Sequence, residues 1–335
     1  MSKRILAAAC AAATALALSA CSSTPSSEGN ATKDGTLTVM ASFYPLQYLA
    51  EKIGGEHVTV TSLTPAGAEP HDLELSPKTV DALASADAVV YLAGFQSAVD
   101  EAIEQQAPKT VIDVSPAAEL VEANSSANHP SEDEDEAQSG ESATEEHADH
   151  DHEGHDHEGH HHDMSADPHF WLDPVRMASA ATLVGDKLAE ADPANADTYK
   201  ANAKALNEEL SALGDDLVAK TATCQIKTFV TAHTAFGYLA DRTGLTQVGI
   251  SGLDPDSSPS PARLAEIGQI AKDQGVTTIF TEALIDPKVA QTLADDLGIS
   301  TAVLDPIESQ TDSSKDYAAV MKDNITALTT ANNCQ

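Results

Sequence analysis

From Leu37 onward, short apolar runs alternate with longer amphipathic stretches. Residues 37–41, 58–63, 88–93 and 110–114 have the length and β-branched content of buried strands. Between them, residues 45–53 end at Gly54-Gly55, and Ser76-Pro77 opens a second stretch as a helix N-cap with a first-turn proline. The pattern then repeats. Residues 226–231, 246–250, 276–280 and 301–304 read as strands, with helices opened by Ser260-Pro261 and Asp286-Pro287 and closed by Gly275 and Gly298. Alternation at this spacing predicts parallel sheets. The fold class that follows is α/β: two similar lobes, each a four-stranded parallel sheet flanked by helices.

The stretch between the two series is helical. Asp173-Pro174 starts one helix and Asp192-Pro193 breaks it. Residues 194–220 then run without proline, with Gly214 as the one glycine and Leu206, Leu210, Leu213 and Leu217 at helical spacing. One long rigid helix joining two lobes argues against wide hinge closure. The expected boundaries are residues 36–191 for the N-terminal lobe, 192–221 for the connecting helix and 222–335 for the C-terminal lobe. Residues 122–167 interrupt the first lobe with an acidic, histidine-rich insertion whose apolar content is too low to bury a core.

The N-terminus reads as a targeting segment. Lys3 and Arg4 precede an apolar run that is too short for a stable bilayer span. It ends in Leu18-Ser19-Ala20-Cys21, which resembles a bacterial lipoprotein box. Residues 1–20 are therefore expected to be a signal peptide, Cys21 the lipidated residue, and residues 21–35 a tether. With Cys10 leaving in the signal and Cys21 acylated, Cys224 and Cys334 remain. As an even pair in an exported chain they are expected to form a disulfide.

Charge narrows the partners. The chain has 18 Lys and Arg against 53 Asp and Glu, a formal net charge of −35. It repels nucleic acid and anionic headgroups and attracts cations. The histidines fall into two classes. His147, His150, His152, His155, His157, His160, His161 and His162 lie among acids and glycines, a setting for weak, exchanging metal binding without fixed geometry. His71, His169 and His233 stand singly in ordered-looking sequence. The pattern places His71 and His233 just beyond the carboxyl ends of strands, where parallel sheets bind ligands, and Asp305 at the same end of the last strand. Three imidazoles and a carboxylate would make a tetrahedral zinc set. Taken singly, each histidine is more often a satisfied core or capping residue than a ligand, so spacing alone suggests a site without establishing it.

At these residues the chain resembles the metal-receptor lipoproteins of bacterial ABC importers for zinc and manganese. The resemblance rests on "SFYPL" (42–46), "EPHDLELSP" (69–77), "DPHFWLDP" (167–174), "TAHTAFGYLA" (231–240), "PSPARLAEI" (259–267), "IFTEALIDPKVAQTLA" (279–294) and "VLDPI" (303–307). It implies metal held between two lobes, with His71, His169 and His233 as ligands and Asp305 in the carboxylate position; Glu69 or a water are the alternatives there. Histidine at position 233, where manganese receptors usually carry glutamate, points with the histidine-rich insertion to Zn2+.

The resulting expectation is an extracytoplasmic, lipid-anchored, monomeric, non-enzymatic receptor. It would pass Zn2+ to an ABC permease and its ATPase. The other readings are a manganese-type receptor, an adhesion lipoprotein with structural zinc, and a secreted zinc hydrolase. The last is weakened because His71, His169 and His233 sit in no HExxH motif; the one match, His157 to His161, falls within the glycine- and acid-rich tract.

Overall fold

A computed structural model describes residues 35–122 and 166–335 of the chain. The signal segment, Cys21, nearly all of the tether and the tract histidines from His147 to His162 lie outside the described residues.

The first lobe contains β1 (Leu37–Ala41), α1 (Tyr44–Gly54), β2 (Val58–Ser62), α2 (Pro77–Leu83), β3 (Ala88–Tyr91), α3 (Ser97–Gln106), β4 (Val111–Asp113) and the short α4 (Ser115–Ala118). Two helices follow, α5 (Pro174–Ala191) and α6 (Ala196–Thr221). The second lobe contains β5 (Thr228–Thr231), α7 (Gly237–Thr243), β6 (Thr246–Gly249), α8 (Pro261–Asp273), β7 (Thr278–Thr281), α9 (Lys288–Leu297), β8 (Ser300–Val303) and α10 (Tyr317–Ala331). The two sheets have strand orders β2-β1-β3-β4 and β6-β5-β7-β8, and every strand pair is parallel. The expected fold class is the observed one, with strand ends displaced by one or two residues.

Helix starts follow the local chemistry. The hydroxyls of Ser76 and Ser260 accept hydrogen bonds from the backbone of Thr79 and Arg263, and a proline follows each cap. Asp173 caps α5 by accepting from Val175 N at 2.9 Å. The same carboxylate pairs with Arg242 on α7, which ties this motif to the second lobe.

The α6 helix spans about 39 Å at 1.5 Å per residue. It is not a bare strut. The largest core runs without a break from Val39, Phe43 and Leu49, through Met177 and Val184 on α5 and Leu206 and Leu213 on α6, to Phe229, Phe280, Met321 and Leu328. The outer faces of the two sheets have smaller cores of their own, around Val89 and around Ile279. Swinging the lobes apart would expose this shared core at about 25 cal/mol for each Å² of apolar surface. The close approach of α5 and α6 explains two mid-helix glycines. A methyl group at Gly185 would lie 2.3 Å from Cβ of Ala203, and one at Gly214 would lie 2.7 Å from Val175. The cost of glycine in a helix, about 1 kcal/mol relative to alanine, is accepted for that contact.

Cys224 and Cys334 are bonded, 110 residues apart in sequence. The bridge joins the end of α6 to the segment after α10 and so closes the whole second lobe. Reduction should lower stability by about 2–5 kcal/mol, because a loop of this length regains much chain entropy when opened. Thermal unfolding with and without reductant measures the loss, and thiol labelling of the unfolded, non-reduced protein should find neither cysteine.

Candidate metal centre

Sheet topology delivers the site. The loop after β2 carries His71, the turn before α5 carries His169, the segment after β5 carries His233, and the segment after β8 carries Glu308. The ligand-type atoms of these four residues all lie within 4.8 Å of one another. Oε1 of Glu308 is 3.4 Å from His71 Nε2, 3.3 Å from His169 Nε2 and 3.3 Å from His233 Nε2. His169 Nε2 and His233 Nε2 are 3.4 Å apart. His169, His233 and Glu308 are buried, and the His71 side chain is 6% exposed. Three Nε2 atoms thus converge on one carboxylate oxygen, which has no geometrically sound hydrogen bond of its own.

The outer groups fix the rings. His169 Nδ1 lies 2.8 Å from Asp167 Oδ1, which also accepts from the His169 backbone N–H at 2.9 Å. His233 Nδ1 lies 2.7 Å from Glu282 Oε2, and the His233 N–H donates to Glu282 Oε1 at 3.0 Å. A carboxylate at Nδ1 keeps the proton there and leaves Nε2 with its lone pair toward the centre. His71 is held differently. Its backbone N–H donates to Glu69 Oε2 at 2.9 Å, and its ring sits edge-on to Phe95 with centroids 4.9 Å apart.

Electrostatics follow from burial and charge together. Burial pulls the His71 imidazole below its ordinary value. Burial acts the same way on His169, but the carboxylates of Asp167 and Glu308 beside it outweigh burial and raise that ring. For His233, burial opposes and Glu282 with Glu308 prevail, lifting it to about 10. Burial pushes Glu308 up, and the three imidazoles more than offset this, so it stays well below the usual carboxylate range. Glu69 is raised to about 7 by burial and by the charge of Glu308.

The structure brings together His71, His169 and His233 but not Asp305. The Asp305 carboxylate turns back along its own chain and accepts from Ile307 N at 2.8 Å. The carboxylate that faces the three rings is that of Glu308, three residues on. Ile307 adopts φ 57, a left-handed conformation rare for a β-branched residue, and this reversal points the next side chain inward. Sequence reasoning stopped at the strand end and missed Glu308. The available signal was an acid directly after Pro306-Ile307 in an apolar setting. Glu69 lies at the edge of the cluster, with Oε1 3.9 Å from His71 Nε2. Sequence reasoning also passed over Asp167 and Glu282, the two partners of the rings.

Two α/β lobes with a buried histidine–carboxylate cluster between them define a metal-binding receptor class. The family model described as "ZnuA: Zinc-uptake complex component A periplasmic" matches residues 39–331, and the chain belongs to this family. It is 35% identical over 301 residues to the zinc-binding protein AdcA of Streptococcus pyogenes, covering 88% of this chain and 56% of that protein. The chain therefore spans little more than half the length of that relative. It is 33% identical over 321 residues to the high-affinity zinc uptake system protein ZnuA of Bacillus subtilis, covering 93% of each. A Zn(II)-bound variant of AdcAII from Streptococcus pneumoniae superposes with TM-score 0.73 at 29% identity, covering 89% of this chain and 99% of the other.

The raised His233 has a direct consequence. In the metal-free protein the ring should carry both protons at pH 8, visible as two protonated ring nitrogens by 15N NMR. Its folded value of about 10 lies above the ordinary 6.5. The protonated ring therefore stabilises the metal-free fold fully below about pH 6.5, and that contribution is lost as pH rises through about 10. A neutral His233 ring at pH 8 would contradict the pairing.

Proposed function

We propose that the protein is an extracytoplasmic receptor that captures Zn2+ through His71, His169, His233 and Glu308 and delivers it to an ABC permease driven by an ATPase. The convergence of three Nε2 atoms and one carboxylate oxygen carries this reading. Three nitrogens and one oxygen suit zinc's tetrahedral preference, whereas manganese favours oxygen-rich sets. Family membership supports the same cargo. The protein binds and releases; it does no chemistry on a substrate. Four protein donors leave no open coordination position for a reacting water, unlike a catalytic zinc site. The division into residues 36–191, 192–221 and 222–335, the lipid anchor on Cys21 and the monomeric state complete the reading.

The histidine tract would serve as a collector. The insertion that carries it leaves and rejoins the described residues at the antiparallel bridge between Glu122 and Ala166, three residues from His169. Metal held loosely by His147 to His162 would thus be concentrated beside the tight site. Deleting residues 132–163 should leave one tight site and remove the weak ones. Isothermal titration should show stoichiometry falling toward one with the tight phase intact, and loss of the tight phase would merge the two classes of histidine.

Replacing His233 or Glu308 with Ala should weaken zinc binding by at least about 100-fold, because each removal leaves the remaining donors short of a tetrahedron. Asp305→Ala should cost less, since its carboxylate supports a turn without facing the cluster. Chelator competition on the purified chain gives the order. Equal losses for Asp305→Ala and Glu308→Ala would reverse the assignment of the fourth ligand. For transport, a strain lacking the gene should grow poorly only when zinc is scarce, and the wild-type gene should restore growth where the His233→Ala gene does not.

A further inference from the structure

Two buried glutamines stand behind the ligand loops. Gln96, at the start of α3, is 2% exposed. Its Nε2 donates to Thr64 Oγ1 and to the carbonyl of Pro70, both at 3.0 Å. Pro70 directly precedes His71. Thr64 is itself tied down, its hydroxyl donating to Ser42 O at 2.7 Å and its N–H to the same carbonyl at 3.1 Å. Gln247, on β6, is fully buried, and its Nε2 donates to Thr231 Oγ1 at 2.8 Å and to the carbonyl of His233 at 3.1 Å. The Thr231 hydroxyl donates to that same carbonyl at 2.6 Å.

The same small motif therefore occurs once in each lobe: a buried amide nitrogen, a threonine hydroxyl and a backbone carbonyl at a ligand histidine. Burying a primary amide is costly unless it is hydrogen-bonded, and each of these spends both N–H bonds on the loop that carries a ligand. We propose that Gln96 and Gln247 are positioning residues for the metal site, Gln96 fixing the backbone that aims His71 and Gln247 the backbone that aims His233. This rests on the metal-receptor reading above. The two are not equally needed. His233 also has Glu282 on its ring and its N–H, whereas His71 has Glu69 only on its N–H. The segment between β2 and α2 that carries His71 has no regular structure. Gln96 therefore matters more, and its loss should act on His71 alone.

Methionine is close to glutamine in shape and donates nothing. In the full-length protein, Gln96→Met should weaken zinc binding by about 10- to 100-fold, the range typical of outer-shell changes. Gln247→Met should cost less. Zinc is read by competition with a chelator strong enough to strip the histidine tract. Cobalt substituted for zinc supplies a second readout, because its visible absorption reports the symmetry of the ligand set. Gln96→Met should change that spectrum. Val89→Ala, a cavity in the outer core of the same lobe, is the control for simple destabilisation and should leave both readouts unchanged. If Gln96→Met does not fold, Gln96→Asn, which keeps the amide but shortens its reach, should show the same direction of change. Zinc affinity within twofold of wild type for the folded Gln96 variant, or an equal loss in Val89→Ala, overturns the positioning role while tight wild-type binding stands. Absence of tight binding in the wild type overturns both this proposal and the receptor reading.

Discussion

The structure turns on one buried carboxylate. Glu308 is 1% exposed, and its inward oxygen faces three imidazole nitrogens at 3.3–3.4 Å with no other partner. A lone buried anion costs several kcal/mol, and only a nearby positive charge repays it. Here that charge comes from protons on the rings or from a divalent cation. As a metal site the cluster would work by exchange: metal would enter as protons leave, because a ring cannot bind both at Nε2. Asp167 and Glu282 keep the Nδ1 protons in place during that exchange, so only the Nε2 protons are given up.

Such geometry has to be held from both lobes. His71 and His169 belong to the first, His233 and Glu308 to the second, and the continuous core through α5 and α6 fixes their separation. Trp171 works at the same junction. It is fully buried, its Nε1 donates to Pro306 O at 2.7 Å, and its backbone carbonyl accepts from the Tyr317 hydroxyl. Trp171, two residues after His169, and Pro306, two residues before Glu308, are thereby joined across the cleft. With the lobes so linked, hinge opening would break the shared core, and on the receptor reading a local movement would release metal at lower cost. The segment of His71 is the natural place, since that ring is the least enclosed of the three.

Much of this was legible in the chain. Strand-length apolar runs, Ser-Pro helix starts and the glycines that end helices are local signals, and they specify two parallel sheets without tertiary information. The clustering of the histidines follows from the same signals, since His233 comes two residues after β5 and His71 lies in the loop that leaves β2. What was missed depends on three dimensions. Gly185 and Gly214 look like helix-weakening residues until α5 and α6 are seen to touch. Asp167 and Glu282 have nothing in their local sequence to mark them as ring partners; the contact between Glu282 and His233 spans 49 residues.

The fourth position shows most clearly why reading from strand ends has a limit. Asp305 sits where a parallel sheet presents its ligands, and by strand counting it is the natural choice. The chain then makes one further turn, and that turn is costly. A β-branched residue in the left-handed region costs of order 1–3 kcal/mol and persists only when its surroundings over-determine it. Ile307 is over-determined. Its side chain is buried, its N–H donates to Asp305, Asp305 is bracketed by the Asn324 amide through both its N–H and its carbonyl, and Trp171 holds Pro306. Asp305 thus spends its carboxylate on the turn, which frees Glu308 to reach the three imidazoles with one more methylene. The residue best placed by the strand became the support, and the residue displaced by a strained turn faces the three histidines.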